Sequence, residues 1–145
     1  MNLWHFNIHT KENGKYMIDN KRAHIGLGND YIDYTNRKTN SHSTVYQNNN
    51  CRKYIKINDI ILLYENGIGY IKYGYFTGEI YVNGINLKDK LPNWSITELS
   101  DGYCVNEWID IKIPYKIKNA LRKTLNEIKD SIKIKRKTDL INYLN

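Results

Sequence analysis

Residues 57–82 read INDIILLYENGIGYIKYGYFTGEIYV, and the fold class hangs on this stretch. Ile57 to Tyr64 is a compact apolar strand entered through Asn58-Asp59, and Asn66-Gly67 turns the chain back. Tyr70 to Val82 is a longer run rich in aromatic and β-branched residues, which favour a pleated, half-buried surface. Gly74 and Gly78 interrupt it and predict a bend or bulge of the kind found in barrel walls, and Asn83-Gly84 is expected to end it.

The segments on either side extend the β pattern. Leu3 to His9 alternates, with Trp4, Phe6 and Ile8 on one face and Leu3, His5, Asn7 and His9 on the other, so a half-buried strand is expected. Asn13-Gly14 predicts a turn, and Ala23 to Leu27 a short second strand closed by Gly26 and Gly28. Thr35 to Lys53 is polar apart from Val45, Tyr46 and Cys51 and reads as a long loop, a class of segment that often carries function. Asn86 to Ser95 is a second loop holding Pro92 and Trp94, and Val105 to Ile113 alternates again.

After Pro114, a residue suited to a helix start, the period changes. Ile117, Leu121, Leu125, Ile128 and Ile132 form one helical stripe, with Lys116, Lys118, Arg122, Lys123, Lys129 and Lys133 mostly off it. A last short helix capped by Thr138 carries Leu140, Ile141 and Leu144. The expected architecture is α+β: a small, mostly antiparallel β-barrel with a C-terminal helix. It forms one domain over residues 1–145, with a β-rich core at 1–113 and a basic helical tail at 114–145.

Composition narrows the class. The chain has 145 residues, which suits one domain, and contains no apolar run near the ~20 residues of a membrane span. Two cysteines, Cys51 and Cys104, are too few for a disulfide framework, so an intracellular, cytoplasmic protein with no membrane partner is expected. Ile, Asn, Lys and Tyr make up 71 residues, so the placement of a lysine or tyrosine is more informative than its abundance. The net charge of +7 is concentrated: residues 1–111 hold 12 basic and 12 acidic side chains, residues 112–145 hold 10 and 3. Such asymmetry predicts a basic face for a phosphate backbone or another acidic partner.

Several chemistries lack their residues. No Gly-rich loop ends in Lys-Ser/Thr, no tight Cys/His pair suggests a metal, and no local motif assembles a nucleophile triad. No catalytic residue, metal or cofactor is therefore assigned. Asp110-Ile-Lys112, on the polar face of a predicted strand, fits the Asp/Glu-x-Lys pattern of metal-dependent nucleases; Asp19-Asn-Lys21 and Glu127-Ile-Lys129 fit it too. A nuclease using Asp110 and Lys112 with Mg²⁺-like ions is one alternative. A protein-interaction or inhibitor module of a virus or mobile element, docking through the stripe Ile117–Ile132, is another. Of the three tryptophans, Trp4 on an apolar strand face suits core packing, Trp108 on a polar one must be covered by the terminal helix or a ligand, and Trp94 in a loop has the strongest claim to recognition. Flat aromatic faces beside cations suit a nucleobase and its phosphates.

Five segments in order carry a family resemblance: Leu3-Trp4-His5-Phe6, Ile25-Gly26-Leu27-Gly28, the strand from Ile57 through Tyr64, Gly74-Tyr75-Phe76-Thr77-Gly78-Glu79-Ile80-Tyr81, and Glu107-Trp108-Ile109-Asp110. Over residues 3–113 the chain resembles the EVE branch of the PUA-like superfamily, related to YTH domains. It is most similar to the DNA-reading modules of modification-dependent restriction systems. Leu27 stands where that family usually has Trp, and Asn58 where it usually has Gly. The resemblance implies a non-enzymatic module that binds DNA or RNA and reads a modified, methylated base swung out of its stack. Trp94, Leu27 and Tyr31 would wall the base with Trp4 behind them, and Asn29 would contact its edge, with Asn13 or Asn7 as substitutes. Arg37, Lys38, Arg52, Lys53, Arg122 and Lys123 would hold phosphates.

Overall fold

In the computed structural model, which describes residues 1–26, 44–86, 99–116 and 125–145, all of strand β1 (Leu3–Asn7) is buried. Its alternation sorts side chains between two cores. Trp4 and Phe6 join Ile61, Leu63, Phe76 and Tyr103 on one face. Leu3 joins Ile60, Leu62, Tyr64, Tyr70 and Leu140 on the other. The strand is thus covered on both sides, not half-buried. Its polar residues are accommodated by hydrogen bonds: His5 Nδ1 with the Tyr70 hydroxyl at 2.8 Å, and Asn7 Nδ2 donating to Asn66 Oδ1 at 3.0 Å.

Around β1 the described strands are β2 (Arg22–Gly26), β3 (Ile60–Glu65), β4 (Gly69–Asn86), β5 (Leu99–Val105), β6 (Ile109–Tyr115) and β7 (Leu125–Ile128). They form a seven-strand sheet in the order β2-β5-β4-β3-β1-β7, with β6 also paired to β4. Only β1 and β3 run parallel; the other pairings are antiparallel, and the sheet does not close into the expected barrel. Long β4 pairs with β3 and β6 through its first half and with β5 through its second. The change of register lies between Phe76 and Ile80, around Gly78, whose φ of +96° is one that side-chain-bearing residues rarely adopt. The bend predicted there is present, but β4 continues past Asn83-Gly84 to Asn86.

Helices correct three expectations. Asn13-Gly14 lies inside α1 (Lys11–Asp19), not in a turn. Thr10 caps that helix by accepting from Asn13 N at 3.2 Å, and Gly14 lets it press on Ile8, just past β1, since a Cβ there would stand 2.8 Å from Ile8 Cδ1. Part of the polar stretch read as loop is α2 (Thr44–Tyr54). Its buried side includes Gln47, Asn48 and Cys51, so the helical period is carried by hydrogen-bonding groups that a hydropathy pattern does not register. The helical stripe expected from Ile117 to Ile132 is not helical over its described part, Ile117 and Leu121 lying outside the described residues. Leu125–Ile128 is strand β7, antiparallel to β1, and Ile132 lies in a turn. Leu125 enters one core and Ile128 the other, so a spacing of three means opposite faces of a strand covered on both sides. The C-terminal helix α3 (Arg136–Leu144) is present with Leu140 buried, but its N-cap is Lys135, and Thr138, expected as the cap, lies inside it.

Helix α2 packs against both β7 and β2, the two ends of the sheet path, and β1 also touches β2. The sheet is therefore curled, and α2 spans its gap. Gln47 Oε1 accepts from Leu125 N at 2.9 Å, supplying a partner for a backbone donor of β7. No helix among the described residues is long and apolar enough to cross a membrane.

Candidate nucleic-acid interface

Three strands end together at one rim of the curled sheet. Gly26 of β2 pairs with Ser100 of β5, and Ser100 pairs with Ile85 of β4. Residues 27–43 follow Gly26, and residues 87–98 run between Asn86 and Leu99, so both predicted recognition segments are rooted at this rim. Leu27, Asn29, Tyr31, Arg37 and Lys38 belong to the first segment and Trp94 to the second; Arg122 and Lys123 belong to residues 117–124. All eight lie outside the described residues.

Below the rim is a buried polar cluster that the sequence reading missed. Asp101 is fully buried and accepts from Asn48 Nδ2 at 2.7 Å; Arg52 Nη1 lies 3.7 Å from the same carboxylate oxygen. The Tyr103 hydroxyl donates to Asn48 Oδ1 at 2.5 Å. A buried carboxylate is tolerable only with such partners. Burial, with Cys51 and Asp101 beside it, drives the Tyr103 hydroxyl well above its ordinary range, so it stays a donor. Burial likewise pushes the Cys51 thiol well up, leaving it a packing group and not a nucleophile at neutral pH. The cluster thus forms a fixed, buried polar floor beneath the rim. The sequence signal for it was faint: one Asn among 20, and an Asp in an unrecognised strand.

The remaining predicted site residues are described. Trp4 is wholly buried in the core, and its Nε1 donates to Asp59 Oδ2 at 3.1 Å. Asp59 also accepts from Asn2 N at 3.0 Å and Lys56 N at 2.9 Å, tying the first strand to the turn before β3. Asn58 in that turn has a φ of +72°. Arg52 is about one-third exposed and engaged by Asp101, whereas Lys53 is exposed, its Nζ 5.3 Å from the Tyr54 ring centre. Of the proposed substitutes for Asn29, Asn7 bonds Asn66 and accepts from His9 N, and Asn13 is buried in α1. Trp108 is covered by α1: its Nε1 donates to the Met17 carbonyl at 2.9 Å.

Asp110 and Lys112 share one face of β6, as their alternation predicts, and line a cleft of ≈ 470 Å³ with Tyr73 and Tyr143. Asp110 is paired with Lys72 across the strands. No group of three or more His, Cys, Asp or Glu side chains among the described residues is arranged to hold a metal ion.

Neither a protein-family model nor a curated protein matches this chain.

Proposed function

We propose that this chain is a non-enzymatic nucleic-acid-binding module, PUA-like and related to the EVE and YTH domains, that reads a methylated base in DNA or RNA. The observation carrying the reading is the shared rim of β2, β5 and β4, where both predicted recognition segments are rooted above the Asp101–Asn48–Tyr103 floor. A second feature supports it. Asn58, standing where the resembled family usually has Gly, adopts the positive φ that glycine favours and asparagine tolerates. On this reading Trp94, Leu27 and Tyr31 wall the base, Asn29 contacts its edge, and Lys53 and the other cations hold phosphates.

A snug wall is required because charge cannot distinguish a methylated base from a plain one. One buried methyl contributes ~0.8 kcal/mol, or about fourfold in affinity, before ring contacts add to it. Fluorescence anisotropy on matched plain and methylated oligonucleotides, single- and double-stranded, tests the reading. Wild type should prefer one methylated form, and Trp94→Ala with Tyr31→Ala should erase the preference while retaining the salt-dependent affinity. Equal binding of every matched pair by wild type overturns base reading.

The nuclease alternative is favoured by one observation, the placement of Asp110 and Lys112 in one cleft. Mg²⁺-dependent cleavage lost in Asp110→Ala would select it.

A further inference from the structure

Between β7 and α3 the chain makes a turn, residues 129–135, which together with Arg136 and Lys137 at the start of α3 carries five basic side chains and one acidic one, Asp130. The turn is fixed by its own hydrogen bonds. Thr138 donates to the Asp130 carboxylate through N at 3.1 Å and through its hydroxyl. Ser131 N donates to the Ile134 carbonyl at 2.8 Å, and Ile134 N to Ser131 Oγ at 3.0 Å. Lys137 Nζ reaches Asn2 Oδ1 at 3.5 Å, anchoring the far side of the turn to the start of β1. On this scaffold Ile132 is 97% exposed, and Lys129, Lys133 and Lys135 are exposed around it.

An isoleucine held in water on an ordered cationic turn suits a partner that is anionic outside and apolar within. Duplex DNA has that chemistry: phosphates line its grooves, and its stacked bases admit apolar side chains as wedges. A lipid surface shares the charge, but interfacial anchoring draws on a broad apolar face, and the turn exposes two apolar side chains, Ile132 at 97% and Ile134 at 38%. We propose that residues 129–137 form a duplex-contacting wedge, with Lys129, Lys133 and Lys135 on backbone phosphates and Ile132 entering between two base steps. The proposal rests on the nucleic-acid reading above and extends it to a double-stranded partner.

The placement fits a wedge working beside the base site. A groove of ≈ 320 Å³ joins Lys129, Asp130, Ser131 and Arg136 to Asn50 of α2, and α2 also supplies Asn48 and Arg52 to the polar floor. The turn and the rim thus flank one helix, whose diameter of about 10–12 Å corresponds to roughly three base steps. Unstacking by Ile132 would ease the swinging-out of a base held at the rim. Because the turn is already ordered, little freedom is lost on contact.

The test uses the full chain and an unmodified duplex carrying 2-aminopurine, a base that brightens when unstacked. Wild type should bind and raise the fluorescence. Ile132→Ser should keep the salt dependence, lose the fluorescence rise and bind roughly ten- to a hundredfold more weakly, from loss of one buried aliphatic side chain. Lys133→Gln with Lys135→Gln should reduce the slope of log affinity against log salt by about 1.8, at ~0.9 per phosphate contact. All three substitutions lie on an exposed turn, so an unchanged circular dichroism spectrum certifies the variants. A fluorescence rise unaffected by Ile132→Ser overturns the wedge, as does binding to phosphatidylserine vesicles but not to duplex. Failure to discriminate methylated from plain bases would refute base reading alone, since this measurement uses no modified base.

Discussion

Lowering the pH should destabilise the protein through the buried imidazole of His24. His24 on β2 is 1% exposed, tilted against the Tyr16 ring of α1 with 5.5 Å between ring centres, and close against Gly102 of β5. Burial, and secondarily the Arg22 charge, lower its pKa from 6.5 to about 3. The folded protein therefore keeps His24 neutral across mild acid, while the unfolded chain protonates it below pH 6.5. The sign follows: stability is full above pH 6.5 and is lost as pH falls toward about 3. At about 1.4 kcal/mol per pH unit, the loss from this group is about 2.7 kcal/mol at pH ~4.5. That is a large share of the roughly 5–15 kcal/mol that holds a domain together. Denaturant titrations of wild type and His24→Asn between pH 7 and 4.5 isolate the term, because groups common to both cancel. The stability difference should swing by about 2.7 kcal/mol in favour of the variant as pH falls. A difference constant to within about 0.5 kcal/mol would refute the reasoning.

Other perturbations follow from specific contacts. Gly102→Ala would place a Cβ 2.6 Å from His24 Cε1, so a loss of about 1–3 kcal/mol is expected by chemical denaturation, relieved in the double variant with His24→Ala. Asp59→Ala strands the Trp4 indole and two backbone donors; about 3 kcal/mol or more should be lost, with an altered tryptophan emission spectrum. Asn58→Gly should raise the denaturation midpoint by the equivalent of about 0.5–1 kcal/mol, because glycine adopts φ +72° without the side chain's penalty. Asp110→Asn breaks an exposed pair with Lys72 and should change stability by less than about 1 kcal/mol, with oligonucleotide binding unchanged by anisotropy.

The strands β1, β2 and β3, the Asn66-Gly67 turn and the bend at Gly78 were legible because alternation and turn chemistry act locally. Elements whose burial is polar or two-sided were not. In α2 the buried Gln47 and Asn48 fill hydrogen-bonding roles that read as loop. In β5 a buried Asp101 breaks the apolar pattern, and its acceptability depends on Asn48 and Arg52, some 50 residues away in sequence. At β7 the residues Leu125 and Ile128 carry a helix-like spacing because two cores need them from opposite sides. Thr10 shows the converse: its cap makes a helix of a segment that Asn13-Gly14 marks as a turn. For the candidate site, the basic skew toward the end of the chain was visible, whereas the polar floor and the Ile132 turn emerge only when α2 is set beside β5 and β7.

The position of β7 also bears on how this chain can be made and cut. β1 is flanked by β3 on one side and, on the other, by a strand that begins at Leu125. During synthesis, β1 must wait with one row of amides and carbonyls unmatched until the chain has been made through Ile128, more than 100 residues later. A shortened version ending near residue 113, where pattern alone would draw a border, would lack that late partner. It would present a raw edge beside Trp4 and Phe6, inviting self-association through strand pairing.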